Sequence, residues 1–311
     1  MENMTKPQIW AAQFRANFLL LAVVLCLLGF ALAVKYHGSI TVLDIILLLI
    51  GVVSAHISVN LFNEYSDYHT KIDFHTKRTP FSGGTGMMVS GKTTPAQVKK
   101  AALITLFIGL AVGTYYVVES NWVLLIFIAI GAFSILFYTN FLAKLMLGEL
   151  FTGLALGTLV VLGVFIAITA KNAVAGAFIP LEVILLSIPP GILTAQLLLL
   201  NEFPDVEADI QGGRRHLVIQ FGRKNAAIIY ILGHVANYSI IILLPILGIS
   251  TFWIYIALLT IPFAVKASKT SLHFNLEEPE KNFEGMGKNV LTVLITDFLL
   301  FAAIIIELLV S

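Results

Sequence analysis

The chain has 311 residues, of which 58% are hydrophobic and only 12% charged, and its formal net charge is +1. That charge content is about half of what a soluble globular domain carries, which excludes an ordinary soluble fold. The near-zero net charge says little about partners, but the lack of a basic patch interleaved with aromatics gives no indication of a nucleic-acid partner.

Charge-poor apolar segments recur in chain order at 16–34, 42–59, 101–118, 122–138, 150–170, 178–200, 226–247, 251–265 and 290–310. A helix needs ~20 such residues to cross a bilayer. Period-2 alternation, the mark of a membrane β-barrel, is absent. The expected fold is all-α: one membrane domain over residues 1–311, a multi-pass bundle of nine transmembrane helices with the eighth the shortest. Arg15 followed by an apolar run and Ala31-Leu32-Ala33 has a signal-like look, but eight more spans follow, so it is read as an uncleaved first helix. With a cytoplasmic N-terminus, 17 of the 19 Lys and Arg fall on the cytoplasmic side, leaving only Lys35 and Lys171 outside. The positive-inside rule therefore predicts that orientation. The single cysteine, Cys26, lies in the first span, so no intrachain disulfide is possible.

The charge that exists is concentrated. Residues 60–100 carry nine charged side chains and residues 201–225 carry eight. Each segment opens on the same pattern: Asn63-Glu64-Tyr65-Ser66-Asp67 and Asn201-Glu202-Phe203-Pro204-Asp205, followed by Asp73 and Asp209. Each follows an even-numbered span, so both acidic clusters are expected at one end of the bundle, at helix C-termini whose dipoles favour a cation. Helical spacing predicts His56, Asn60, Asn63 and Asp67 on one face, and Asn201, Asp205 and Asp209 on another, with Pro204 kinking the second series. The spacing from Asp67 to Asp73 is six, poor for a continuous helix face, so the first helix is expected to unwind near residues 68–71 and return Asp73 from a loop.

Oxygen ligands without Cys or paired His suit a hard cation, Mg²⁺ above all. The bases that follow each acidic cluster would neutralise phosphate. Carboxylates, Mg²⁺ and bases together describe a diphosphate site, and in a lipid bilayer a phosphate-bearing substrate is most simply a lipid. Metal ions would stabilise charge on the leaving diphosphate, and a water-poor pocket would protect an allylic cation.

At these motifs the chain resembles the UbiA superfamily of membrane prenyltransferases. The resemblance rests on the paired Asn/Asp motifs after helices 2 and 6, the count of nine helices, Tyr138-Thr139 with Gly148-Glu149, and Gly213-Arg214-Arg215-His216-Leu217 where many members have Gly-Lys-x-Thr-Leu. The late second acid, Asn63-x3-Asp67-x5-Asp73, and the glycines at 83, 84, 86 and 91 with Pro95 are similar to the branch that prenylates 1,4-dihydroxy-2-naphthoate for menaquinone. Glu64, Glu202 and Arg215-His216 depart from the commoner sequence. The resemblance implies that Asp67, Asp73, Asp205 and Asp209, helped by Asn63 and Asn201, hold Mg²⁺ on a polyprenyl diphosphate, with Asn63 among the metal ligands. It implies that Lys77, Arg78, Arg214 and Arg215 hold the phosphates and that an electron-rich aromatic acceptor attacks the allyl cation, in this branch with loss of the ring carboxylate. It also implies a bacterial inner-membrane enzyme with its site facing the cytoplasm.

Blander readings accompany each residue. Glu207 is expected to be solvated, and Lys99, Lys100, Arg223 and Lys224 to serve topology alone. Tyr138 orients a substrate or belongs to the interfacial aromatic belt; Lys144, in the short loop between spans 4 and 5, is placed to reach either substrate. Glu149 suits a helix N-terminus whatever the function. His69, His75 and His216 lie near the motifs with no ligand spacing, which argues against zinc. Asp297, inside the last span, is an intramembrane acid without an assigned role. Other acceptors (4-hydroxybenzoate, homogentisate, a lipid) remain open, as does a transporter or channel, which a repeated motif also permits.

Overall fold

The structure, a computed structural model, describes residues 4–139, 141–171 and 178–310, and among these it contains helices and no strand. The elements are α1 (Lys6–Gln13), α2 (Leu19–His37), α3 (Val42–His69), α4 (Ile72–His75), α5 (Pro95–Glu119), α6 (Val123–Phe137), α7 (Gly148–Gly153), α8 (Leu159–Thr169), α9 (Leu181–Asn201), α10 (Val206–Gln211), α11 (Leu217–Ile246), α12 (Ile261–Leu272) and α13 (Phe283–Val310). A π-helical turn, Leu154–Thr158, joins α7 to α8, and a 3₁₀ stretch, Phe252–Thr260, leads into α12.

Among the described residues, eight helical segments are long and apolar enough to cross a membrane. The fourth expected span is α6, with 15 residues, and it is shorter than the eighth, which was expected to be the shortest and extends over Phe252–Leu272. Neighbouring helices pack in sequence from α2 through α3, α5, α6, α8, α9, α11, α12 and α13, and α13 returns to α2. The large side chains left exposed on the perimeter are apolar, such as Phe107, Val118, Leu125 and Leu259, as a lipid-facing surface requires. The chain is a multi-pass membrane protein.

Local chemistry sets the helix ends. The Thr41 hydroxyl accepts from Asp44 N at 3.1 Å at the start of α3. Thr94 and Gln97 form a capping box at α5, with Pro95 in the first turn. Pro189 and Pro190 lie within α9 without breaking it. The carbonyl of Ser187 in this segment accepts from Thr158 Oγ1 at 3.0 Å. At this crossing Gly153 and Gly157 meet Gly191 backbone to backbone, so the Pro-Pro-Gly segment is a packing device. A Cβ on Gly157 would stand 2.6 Å from Gly191 Cα and 2.8 Å from the Pro190 carbonyl. Gly157→Val is expected to cost about 1–3 kcal/mol, as overpacking does, read as a lower melting temperature of the purified protein in detergent.

The two ends of the bundle differ. At one end Lys35 Nζ bonds Glu182 at 2.8 Å and Glu307 at 2.9 Å. There too, Asp44 pairs with Lys171 and accepts from the Tyr116 hydroxyl at 2.7 Å. The opposite end carries Arg15, the ends of α3 and α9, and the start of α11.

Candidate active site

The first motif unwinds at the expected place. α3 ends at His69, Lys71 turns the chain with φ of 67°, and the short α4 brings back Asp73. Asp73 then lies under a glycine-rich loop. A Cβ on Gly84, whose φ is +67°, would meet Asp73 Oδ1 at 2.5 Å, so only glycine lets this backbone close over the carboxylate. The second motif departs from the expected continuous face. α9 stops at Asn201, turns through Glu202–Asp205, and Asp205 becomes the residue preceding α10. Pro204, lacking an N–H, marks that break.

Both motifs nonetheless meet. A cavity of about 80 Å³ is lined by Asn63, Asp67, Asp73, Asn201, Asp205 and Asp209, together with Arg15, Tyr138, Glu202 and Arg214. Arg214 spans the two motifs. Its Nη1 donates to Asp209 Oδ1 at 2.9 Å, and its Nη2 donates to Asn63 Oδ1 at 3.2 Å and to Asp67 Oδ1. The Thr139 hydroxyl also donates to Asn63 Oδ1, at 3.2 Å. Arg215 N donates to the Ala143 carbonyl at 2.7 Å, tying the loop after α6 to this strand of chain.

Electrostatics follow from burial and crowding. Burial, then the neighbouring Asp67 and Glu64 charges, push the Asp73 carboxyl from its ordinary 3.8 to about 7. Burial and the Asp209 charge push Asp205 to about 8. Burial works against the Arg214 charge, but Asp67 and Asp209 outweigh it and hold the guanidinium above its usual value. Asn201 Oδ1 and Asp205 Oδ1 are buried without a hydrogen-bond partner. Oxygen donors from both motifs, two of them unsatisfied, fit a hard divalent cation.

Of the bases expected near the phosphates, Arg214 lines the cavity, whereas Lys77, Arg78, Arg215 and Lys144 are exposed and lie outside its lining. Arg78 Nη2 donates to the Asp73 carbonyl at 2.8 Å and its guanidinium packs on Gly86, supporting the loop that carries Asp73. Arg15, noted in the sequence only as the base before the first apolar run, also lines the cavity. It pairs with Glu64 at 3.3 Å. Glu64 is itself buried, and it accepts from Gln13 Nε2, Thr85 N and Thr85 Oγ1, so this acid organises the loop. Only the position of Arg15 at the mouth of the first span signalled it in the sequence.

Asn60 turns away from the motif face and donates to the Phe14 carbonyl at 3.1 Å. His56 lines a second, apolar cavity of about 180 Å³ between α3, α5, α6 and α8, with Leu48, Gly51, Tyr116, Phe127 and Ile135. Glu207 is exposed, as expected. Asp297 is fully buried outside both cavities, and neither carboxylate oxygen has a partner.

An apolar helical bundle with an acid- and arginine-lined cavity at one end has the architecture of an integral membrane transferase. The chain belongs to the UbiA prenyltransferase family, whose model matches residues 22–288. It is 30% identical over 278 residues to the 1,4-dihydroxy-2-naphthoate octaprenyltransferase of Bacillus subtilis (strain 168), covering 86% of this chain and 85% of that protein. The fold is similar to the apo structure of a UbiA homolog from Aeropyrum pernix K1, with a TM-score of 0.68 and 18% identity over 94% of this chain and 98% of that one. It is also similar to a UbiA homolog from Archaeoglobus fulgidus bound to GPP and Mg²⁺, with a TM-score of 0.57 and 12% identity over 95% and 99% of the two chains. The chain is therefore a prenyltransferase.

Proposed function

We propose that this enzyme transfers an isoprenyl chain from a polyprenyl diphosphate to 1,4-dihydroxy-2-naphthoate, in a Mg²⁺-dependent reaction of menaquinone biosynthesis. The observation that carries the reading is the single cavity in which both Asn/Asp motifs face Arg214. The similarity to the Bacillus subtilis enzyme supports the acceptor. The GPP and Mg²⁺ held by the Archaeoglobus fulgidus homolog support the donor and the metal.

In this reading Asp67, Asp73, Asp205 and Asp209, with Asn63 and Asn201, hold the metal. Bound there, Mg²⁺ would stabilise the charge that develops on the leaving diphosphate. Arg214 and Arg15 bind its phosphate oxygens from the cavity wall. Lys77, Arg78, Lys144 and Arg215 stand at the rim and draw the anionic headgroup in. Tyr138 presents its ring where the allylic carbon would lie and favours positive charge there. His56 and Asn63 are seven residues apart on α3, about 10 Å along the axis, so the apolar cavity starts within reach of the headgroup and takes the tail. The allylic C–O bond breaks and diphosphate leaves with the electron pair. The ring carbon that bears the acceptor's carboxylate bonds to the cation, and that carboxylate leaves as CO₂, its C–C electron pair restoring the aromatic ring. The apolar lining keeps water from that cation.

The same reading takes residues 1–311 as one domain of nine crossings. Arg15 reaches the motif end through Glu64, and Glu307 bonds Lys35 at the other. A chain that starts and finishes at opposite ends crosses an odd number of times, which supports α6 as a span. The one-sided basic residues support a motif end facing the cytoplasm, and the similarity to the Bacillus subtilis enzyme supports a bacterial membrane.

Purified protein in lipid, given labelled polyprenyl diphosphate and a panel of aromatic acceptors, is expected to form a prenylated, decarboxylated naphthalenediol product by mass spectrometry and to stop on chelation. Product with 4-hydroxybenzoate or homogentisate instead would refute the acceptor, and diphosphate flux without product would favour a transporter. Asp73 and Asp205 must lose protons to bind metal, so apparent Mg²⁺ affinity is expected to rise as pH climbs through 7 and 8. The steepest rise is about tenfold per pH unit for each proton released. Mg²⁺ half-saturation measured between pH 6 and 9 checks this. In the metal-free fold the same shifts have the opposite consequence: stability contributed below pH 3.8 is lost as pH rises through 7 to 8.

A further inference from the structure

Behind the second motif three helix ends converge. Glu149 lies in the first turn of α7, Glu202 follows the end of α9, and His216 precedes α11. They are 4%, 7% and 2% exposed. One ligand atom from each lies within 4.8 Å of the other two.

Their hydrogen bonding leaves a common centre unsatisfied. Glu149 Oε1 accepts from Leu217 N at 2.8 Å. Glu149 Oε2, Glu202 Oε2 and His216 Nδ1 are buried without a partner. On its other side, His216 Nε2 lies 3.1 Å from Asp209 Oδ2. Asp209 also accepts from Arg214 and is an acceptor only, so Nε2 carries the proton and Nδ1 presents a lone pair. Burial, then the Glu149 and Asp209 charges, push the Glu202 carboxyl well above its ordinary range, so in the metal-free fold the two glutamates share a proton that a bound cation would displace. His216 Nδ1 and Glu202 Oε2 stand 3.5 Å apart, beyond a normal hydrogen bond. Two ligands at ~2.1 Å on one tetrahedral metal stand about 3.4 Å apart.

We propose that Glu149, Glu202 and His216 form a second metal site, distinct from the Asp motifs, for a borderline divalent cation of the Zn²⁺ class. An imidazole nitrogen with two carboxylates selects such a cation over Mg²⁺. The dication cancels the two buried carboxylates, which are costly to bury without a partner. His216 bonded through its far nitrogen to Asp209 is the carboxylate–histidine–metal arrangement that orients a ligating imidazole. The site would pin three helix ends and hold Asp209 in place. It does not depend on the diphosphate reading: Glu202 also borders that cavity, but none of the three residues is assigned to the Mg²⁺ or the phosphates there.

The test uses the full chain in lipid nanodiscs, stripped with chelator and then given Zn²⁺ or Co²⁺ alone in excess Mg²⁺. Elemental analysis is expected to find one Zn²⁺ per chain, and Co²⁺ to show the visible bands of a low-coordinate site. Glu202→Gln, nearly isosteric, and His216→Ala should each retain less than a tenth of that metal and lose the Zn²⁺-dependent rise in melting temperature. Asp67→Asn and Asp205→Asn should retain both, which separates this site from the Mg²⁺ site whatever happens to turnover. A wild-type protein that takes up no Zn²⁺ would overturn the proposal, leaving a shared proton at the centre. So would full metal content in Glu202→Gln and His216→Ala, or its loss in the Asp67 and Asp205 variants.

Discussion

Asp67→Asn and Asp205→Asn are each expected to lower kcat/KM for prenyl transfer by about 10²–10³-fold, the scale on which losing one preorganised group at developing charge is felt. The two residues come from different motifs and line the same cavity. Each substitution keeps size and polarity; Asp67→Asn also gives up its ion pair with Arg214, so its melting temperature is measured beside its activity. Raising Mg²⁺ should recover part of the loss, because the remaining ligands bind the ion more weakly rather than not at all. Steady-state assays in nanodiscs over a Mg²⁺ series check both points. Full Mg²⁺-dependent turnover in either variant would remove the motifs from the metal site.

Arg214→Ala is expected to be the most destabilising single change at the site. The guanidinium bridges Asp67 and Asp209, and its side chain is only 12% exposed. Removing it leaves carboxylates from two motifs buried without their cation, and breaking such a pair typically costs about 3–5 kcal/mol. Thermal unfolding of the purified variant should show the loss, and Mg²⁺ with inorganic diphosphate should restore part of it by replacing the missing charge. Arg214→Lys keeps the charge but not the planar fork that reaches Asn63, Asp67 and Asp209 together. It should lie between Ala and wild type in stability and stay nearly as inactive as Ala. Wild-type stability in Arg214→Ala would show that the bridge carries no weight.

Much of the molecule was legible in the sequence because its signals are local. Apolar runs of bilayer length, the one-sided bases and the repeated Asn-Glu-aromatic-X-Asp pattern depend on residues close together in the chain. The unwinding between Asp67 and Asp73 was readable too, since a gap of six cannot stay on one helix face. Other features depended on distant partners. Helical phase put Asn60 with the motif, but the nearby Phe14 carbonyl claimed it. The acids and bases of each segment look alike in sequence, yet Arg214 enters the cavity while Lys77, Arg78 and Arg215 stay outside its lining. Arg15 joins from the turn between α1 and α2 and pairs with Glu64. His216 had no ligand spacing at all. Glu149 and Glu202 come to it only because α7, α9 and α11 end at one place.

By itself, then, the sequence determined a membrane-embedded helical chain with a prenyltransferase's acidic motifs, because hydropathy and short spacings are properties of contiguous residues. Tertiary structure alone decided which charges meet. Helix ends up to 150 residues apart converge at Asn63 and Arg214, and burial there requires each charge to find a partner that spacing along the chain does not specify.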